Sequence, residues 1–233
     1  MASTNWIETA EVPSPNRYFA YMGLTIVCIV FLAILPIWIG EHFYAEYLSE
    51  GGALQVFSAA FYLIVATTIV RESRPDLLAS RWHLVLIPIL MCLRELDFHA
   101  KLTTMSITKT SFYVSPDVQL GEKLVGAGVL LLVGLAAYRL IQVNGRGFFA
   151  GLRRFDVVAV AVAAAGASGV MSKTLDGGIR KLAGLGITAA PELHAPSVIF
   201  EEVLELSIPA FMAIAAFAYF SIHEPQGRPL ARA

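Results

Sequence analysis

Long apolar runs alternate with short polar connections along this chain, and the alternation predicts six helices of membrane-crossing length. The runs are Phe19–Gly40, Gly51–Val70, Leu77–Leu93, Leu124–Val143, Val157–Met171 and Ser197–Ile222. Most of them approach the roughly 20 apolar residues that carry a helix across a bilayer. The third is the least clean, with Arg81 and His83 at its start and Pro88 inside it. The fifth is short, and Ala159, Ala163, Gly166 and Ala167 give it a small-residue face on which a neighbouring backbone can approach closely. The expected architecture is all-α: an integral membrane bundle of six transmembrane helices, both termini cytoplasmic.

Composition narrows the class. Of 233 residues, 57% are hydrophobic and 15% charged, against about 25% charged in a soluble domain. A net charge of −1 leaves no bulk basic field for nucleic acid. Cys28 and Cys92 both fall inside apolar runs and read as reduced core residues. The first apolar run is too long and begins too late for a signal peptide, so it is expected to stay as the first span. The chain then divides into a cytoplasmic segment over 1–18, a transmembrane domain over 19–222 and a cytoplasmic tail over 223–233.

Orientation follows from basic residues in the short connections. Arg71, Arg74 and Arg81 follow the second run, Arg146, Arg153 and Arg154 follow the fourth, and Arg228 and Arg232 follow the last. The Glu41–Glu50 connection carries three glutamates and no Lys or Arg. The basic end is therefore expected in the cytoplasm. The long segment between the third and fourth runs, rich in Ser and Thr from Thr103 to Ser111, is expected to form a short interfacial helix or a cover over the bundle mouth.

This orientation gathers ionisable residues at the outer end. Arg94, Glu95, Asp97, His99 and Lys101 end the third run; Glu201, Glu202 and Glu205 open the sixth; Glu50, Lys173 and Asp176 join at the same level. Charges within membrane spans are costly unless paired or hydrated, which makes them functional-site candidates. Glu95 and His99 share a helix face, as do Glu201 and Glu205, with Glu202 about 100° round. Carboxylates and an imidazole converging from two helices can hold one divalent ion, Zn²⁺, Mn²⁺ or Ca²⁺, with Glu95, Asp97 and His99 as ligands. Glu201, Glu202 or Glu205 would then act as general base, and Arg94, Lys101 and Lys173, with Asp176 and Glu50, would serve substrate binding or charge pairing. The same residues could instead form a purely structural ion-pair network. No histidine lies in the middle of a run, so haem is not expected.

The string Arg94-Glu95-Leu96-Asp97-Phe98-His99-Ala100-Lys101, with Glu201-Glu202-Val203-Leu204-Glu205, resembles uncharacterised bacterial multi-pass inner-membrane proteins. In these a Glu-Gly turn opens the second span, an acidic motif ends the third and an acidic pair begins the last. The resemblance implies a bacterial cytoplasmic membrane and carries no activity. Asp97 and His99 are also loosely similar to part of the zinc set of alkaline-ceramidase-type lipid amidohydrolases, whose His-x-x-x-His pair is missing from this chain.

Three functions stay open on these residues. The first is a metal-assisted hydrolase or transferase acting on a lipid or lipid-linked substrate. The second is a non-catalytic membrane subunit or chaperone that docks a membrane protein partner. The third is an ion or proton transporter. In each case the lipid bilayer is the immediate environment.

Overall fold

The computed structural model describes residues 14–39, 52–101, 103–184 and 194–223, without the side chains at 36, 37, 39, 99, 100, 176–184 and 194–197. The regular structure among the described residues is all helical. In chain order the helices are α1 (Pro15–Ile39), α2 (Ala53–Glu72), α3 (Pro75–Ser80), α4 (Trp82–Glu95), α5 (Phe98–Lys101), α6 (Thr110–Val114), α7 (Leu120–Arg153), α8 (Val157–Gly184) and α9 (His194–Ala218). A π-helical turn over Tyr219–His223 ends the described chain.

Among the described residues, five stretches are long and apolar enough to cross a membrane: Pro15–Leu35, Ala53–Glu72, Leu120–Arg153, Val157–Leu175 and Val198–His223. The run expected as a third span differs from them. It is broken at Arg81 (φ −117°, ψ 32°) into α3 and α4. At 1.5 Å per residue, the 14-residue α4 is about 21 Å long, short of a hydrocarbon core of roughly 30 Å. Arg81 is held at the break by a hydrogen bond from Nη1 to the Tyr219 hydroxyl at 3.1 Å.

Core contacts give the helix directions. At one end, Leu54 of α2 packs with Ile199 and Val203 of α9 and with Ile29 and Leu32 of α1. At the other, Tyr18 and Met22 of α1 meet Val157 and Ala161 of α8 and Phe211 and Ala218 of α9. Thus α1 and α8 run one way while α2 and α9 run the other. Helix α4 lies antiparallel along α2, since Gln55 meets Asp97 and Tyr62 packs on Cys92. The C-terminal half of α7 reaches the start of α4, where Asn144 Nδ2 lies 3.1 Å from Nε2 of the fully buried His83.

The small-residue face of α8 is rotated from the one the sequence indicates. Gly166 and Ala167 are exposed. The buried stripe is Val157, Ala161, Ala165, Ser168 and Ser172, spaced three or four apart as one helical face requires. Ala161 is fully buried against α9. Ala159 instead lies under the α7–α8 turn, where a Cβ on Gly151 would come within 2.8 Å of its own. Phe155 takes a positive φ of 53° in this turn, and Asp156 Oδ2 accepts the Ala159 N–H at 3.1 Å, capping α8.

The expected cover between the third and fourth runs takes the form of α6 and its flanks, folded onto the first turns of α7. Phe112 is fully buried with Ile107 and Val118. The Tyr113 hydroxyl donates to Ile107 O at 3.0 Å, Thr104 donates through N and Oγ1 to Glu122 Oε2, each at 3.0 Å, and Lys123 Nζ donates to Ser115 O at 2.8 Å. Gly126 admits the cover: a Cβ there would stand 2.8 Å from Phe112 Cε1 and 3.2 Å from Ile107 Cγ2. Gly126→Leu is therefore expected to lower stability by about 1–3 kcal/mol, an overpacking cost. Thermal unfolding in detergent measures the loss, and hydrogen exchange should show it concentrated over 103–118. Gly128→Ala, with open space around its Cβ, should not lower stability, since Ala is the better former of a helix interior.

Candidate functional site

The site forms where four helices come together at the end of the bundle away from His83. Helix α4 delivers Arg94 and Glu95 in its last turn, α9 delivers Glu201 and Glu205 in its first turns, α8 delivers Ser172 and Lys173, and α2 delivers Gln55 and Tyr62. Glu205 lies seven residues inside the apolar stretch that begins at Val198, about 10 Å along the helix. A carboxylate at that depth needs compensation.

Compensation comes from three donors on one oxygen. Glu205 Oε1 accepts from Arg94 Nη2 at 2.8 Å and from Ser172 Oγ at 3.1 Å, and Lys173 Nζ lies 3.1 Å away. Lys173 also reaches Glu201 Oε1 at 3.5 Å. Ser172 is fully buried, whereas the Arg94 and Lys173 side chains are 40% and 52% exposed. Both cations thus stay partly exposed while their tips meet the buried carboxylate.

Glu95 sits beside this knot and is treated differently. It is 5% exposed, and its Oε1 lies 3.7 Å from Arg94 Nη1, an ion-pair distance too long for a hydrogen bond. That oxygen has no hydrogen-bond partner among the described residues. The Tyr62 hydroxyl is likewise buried without one, and it interacts electrostatically with Glu95, Arg94 and Glu205. Native structures pair nearly all buried polar atoms, so these two oxygens, in one neighbourhood, stand out among the described residues. Beneath them, Ala59, Cys92, Ile208 and Met212 pack around the Tyr62 ring and form an apolar floor.

The residues singled out by the sequence distribute unevenly. Arg94, Glu95, Lys173, Glu201 and Glu205 come together. Asp97 turns aside: it adopts φ 53° after the end of α4, and its Oδ2 accepts from Gln55 Nε2 at 3.2 Å. Lys101 caps α4 by donating to Leu96 O at 2.8 Å. Glu202 is half-buried on the adjoining face of α9. Glu50 and the side chains of His99 and Asp176 lie outside the described residues. Tyr62 is the residue the sequence reading missed. Its signal was its placement, one turn after Ser58 and nine residues into an otherwise apolar run.

No three His, Cys, Asp or Glu side chains converge as a metal-binding group among the described residues. The near oxygen of Glu205 is taken by cations and Asp97 faces Gln55, so the described donors do not by themselves fit a divalent ion. Comparison with protein-family models, curated proteins and solved structures finds no match to this chain.

The knot carries a stability prediction. Glu205→Ala leaves Arg94, Ser172 and Lys173 facing an empty position. Breaking a buried pair costs about 3–5 kcal/mol, and partial exposure of both cations reduces this to about 2 kcal/mol. Ser172→Ala removes a single hydrogen bond to a charged group and should cost roughly 1.5 kcal/mol or less. Thermal unfolding of purified protein in detergent measures both, and the ranking Glu205 above Ser172 is the decisive outcome.

Proposed function

We propose that this chain is a membrane-embedded hydrolase or transferase whose site, at the outer end of the bundle, acts on the head group of a lipid or lipid-linked substrate. The observation that carries the reading is the buried Glu95 oxygen, which has no hydrogen-bond partner among the described residues and is held beside two anchored cations. Arg94 and Lys173 are positioned to bind an anionic head group, Arg94 through a planar fork suited to phosphate or carboxylate oxygens. Glu205 acts as their positioning residue, since its near oxygen is committed to them. Glu95 takes the proton of an attacking water or hydroxyl as the new bond to the head group forms. The leaving oxygen takes that proton back from Glu95, directly or through the Tyr62 hydroxyl as a relay, as its own bond breaks, so Glu95 returns to its carboxylate and no net proton is consumed.

The apolar floor under Tyr62 favours chemistry at a closed site over passage of an ion through the bundle. Docking of a protein partner remains the alternative if no turnover is found. A metal-assisted form would need His99 to join Glu95 and Asp97, and elemental analysis of the purified protein tests it. No step above depends on that ion.

The membrane topology belongs to the same proposal. Taken together, α3 and α4 make a sixth, broken crossing, which puts both termini on one side. Arg71, Arg74, Arg81, Arg139, Arg146, Arg153 and Arg154 all fall at the end away from the site, which supports a cytoplasmic assignment for that end. The motif layout described above supports a bacterial inner membrane.

The test is turnover. Purified protein in nanodiscs made from total bacterial lipid should release or transfer a head group, detected as new lipid species by mass spectrometry. Glu95→Gln should slow it by roughly 10²–10⁴-fold, the usual contribution of a general base, while leaving the unfolding temperature close to that of the wild type. Wild-type protein that produces no new species, yet retains a protein partner through purification, would replace this reading with the docking one.

A further inference from the structure

A second site lies along α1 and shares no lining residue with the Glu205 knot. A cleft of about 530 Å³ runs between α1 and α9 and is closed on one side by Phe61 of α2. That volume falls within the roughly 300–1,000 Å³ of ordinary ligand sites. Its α1 wall extends from Tyr18 to Leu32, about 21 Å at 1.5 Å per residue. On α9 the small side chains of Ala210 and Ala213 leave the space open.

The lining decides the chemistry of an occupant. Three of its polar groups are already used: the Tyr18 hydroxyl donates to Phe217 O at 3.3 Å, Thr25 Oγ1 to Tyr21 O at 2.9 Å and Ser207 Oγ to Leu204 O at 2.6 Å. Apart from Tyr21 and Cys28, the rest of the lining is apolar. An apolar trough of this length suits one extended hydrocarbon chain. At its N-terminal end, Arg17 precedes Tyr21 by four residues and shares its face of α1 with Tyr21, Leu24 and Cys28. Arg17 is exposed, so a guanidinium stands where a chain lying in the trough would end in its head group.

We infer that this cleft is a binding site for an anionic phospholipid, one acyl chain lying between α1 and α9 and the phosphate on Arg17. The Arg17 end of the cleft lies at the basic end of the bundle, its other end reaches the level of Leu32 and Leu206, and the inference does not rest on the proposed reaction.

Cys28 supplies a built-in reporter, because it is exposed in the cleft wall while Cys92, the other cysteine, is buried. Delipidated full-length protein in detergent is treated with N-ethylmaleimide in the presence of phosphatidylglycerol or phosphatidylcholine. Labelling of Cys28 should be slower with phosphatidylglycerol by about fivefold, the contribution of one Arg near an anionic head group. Arg17→Gln should remove the difference between the two lipids. In native mass spectrometry the wild type should carry one phosphatidylglycerol, and Ala210→Phe, which fills the trough, should carry none while unfolding at a temperature near that of the wild type. Equal labelling in both lipids would overturn the inference. So would a lipid-free species of twice the chain mass, which would assign the cleft to a second copy of the chain.

Discussion

A single carboxylate oxygen placed inside an apolar bundle organises one half of this molecule. Glu205 cannot remain charged at its depth without donors, and it draws three of them from two other helices. That demand ties α4, α8 and α9 together at a point where apolar packing alone would leave them free to slide. It also accounts for α4, which is too short to be held by its own length in a bilayer. Its last turn is bolted to α9 through Arg94, and its first turn is held through His83 on Asn144 and through Arg81 on Tyr219.

The same arrangement separates two roles among chemically similar residues. Glu205 has every reason to be structural, since its near oxygen is fully committed. Glu95, one residue from Arg94, is buried more deeply than Glu205 and lacks a hydrogen bond, among the described residues, on the oxygen nearest the guanidinium. A buried polar network that is only partly satisfied is costly. The bundle tolerates this one where Tyr62 and the cation tips surround it and an apolar floor closes the far side. The polar pocket walled by four helices and the apolar trough between α1 and α9 therefore differ in kind.

Much of the helical framework was legible because it depends on local rules. Apolar runs of membrane-crossing length give helices, and five of the six expected runs contain one. The run from Leu77 to Leu93 departs because Arg81 takes a non-helical conformation, anchored by a tyrosine more than a hundred residues away. No local pattern carries that contact. The buried face of α8 was misplaced for a related reason: small residues occur all around that helix, and only the position of α9 selects Ala161 and Ala165 over Gly166 and Ala167.

By itself, the sequence determined that the chain is built of long apolar helices, that arginines collect at one end, and that Arg94, Glu95, Lys173, Glu201 and Glu205 share a level. These follow from hydropathy and chain direction, which are properties of residues in order. The tertiary structure decided which atoms meet. It turned Asp97 to Gln55 and Lys101 to the end of α4, brought Ser172 and Tyr62 to the acidic strings, and opened the cleft beside Ala210 and Ala213. Hydrogen bonds and close packing act over a few ångströms, and helix rotation sets which side chains come that near.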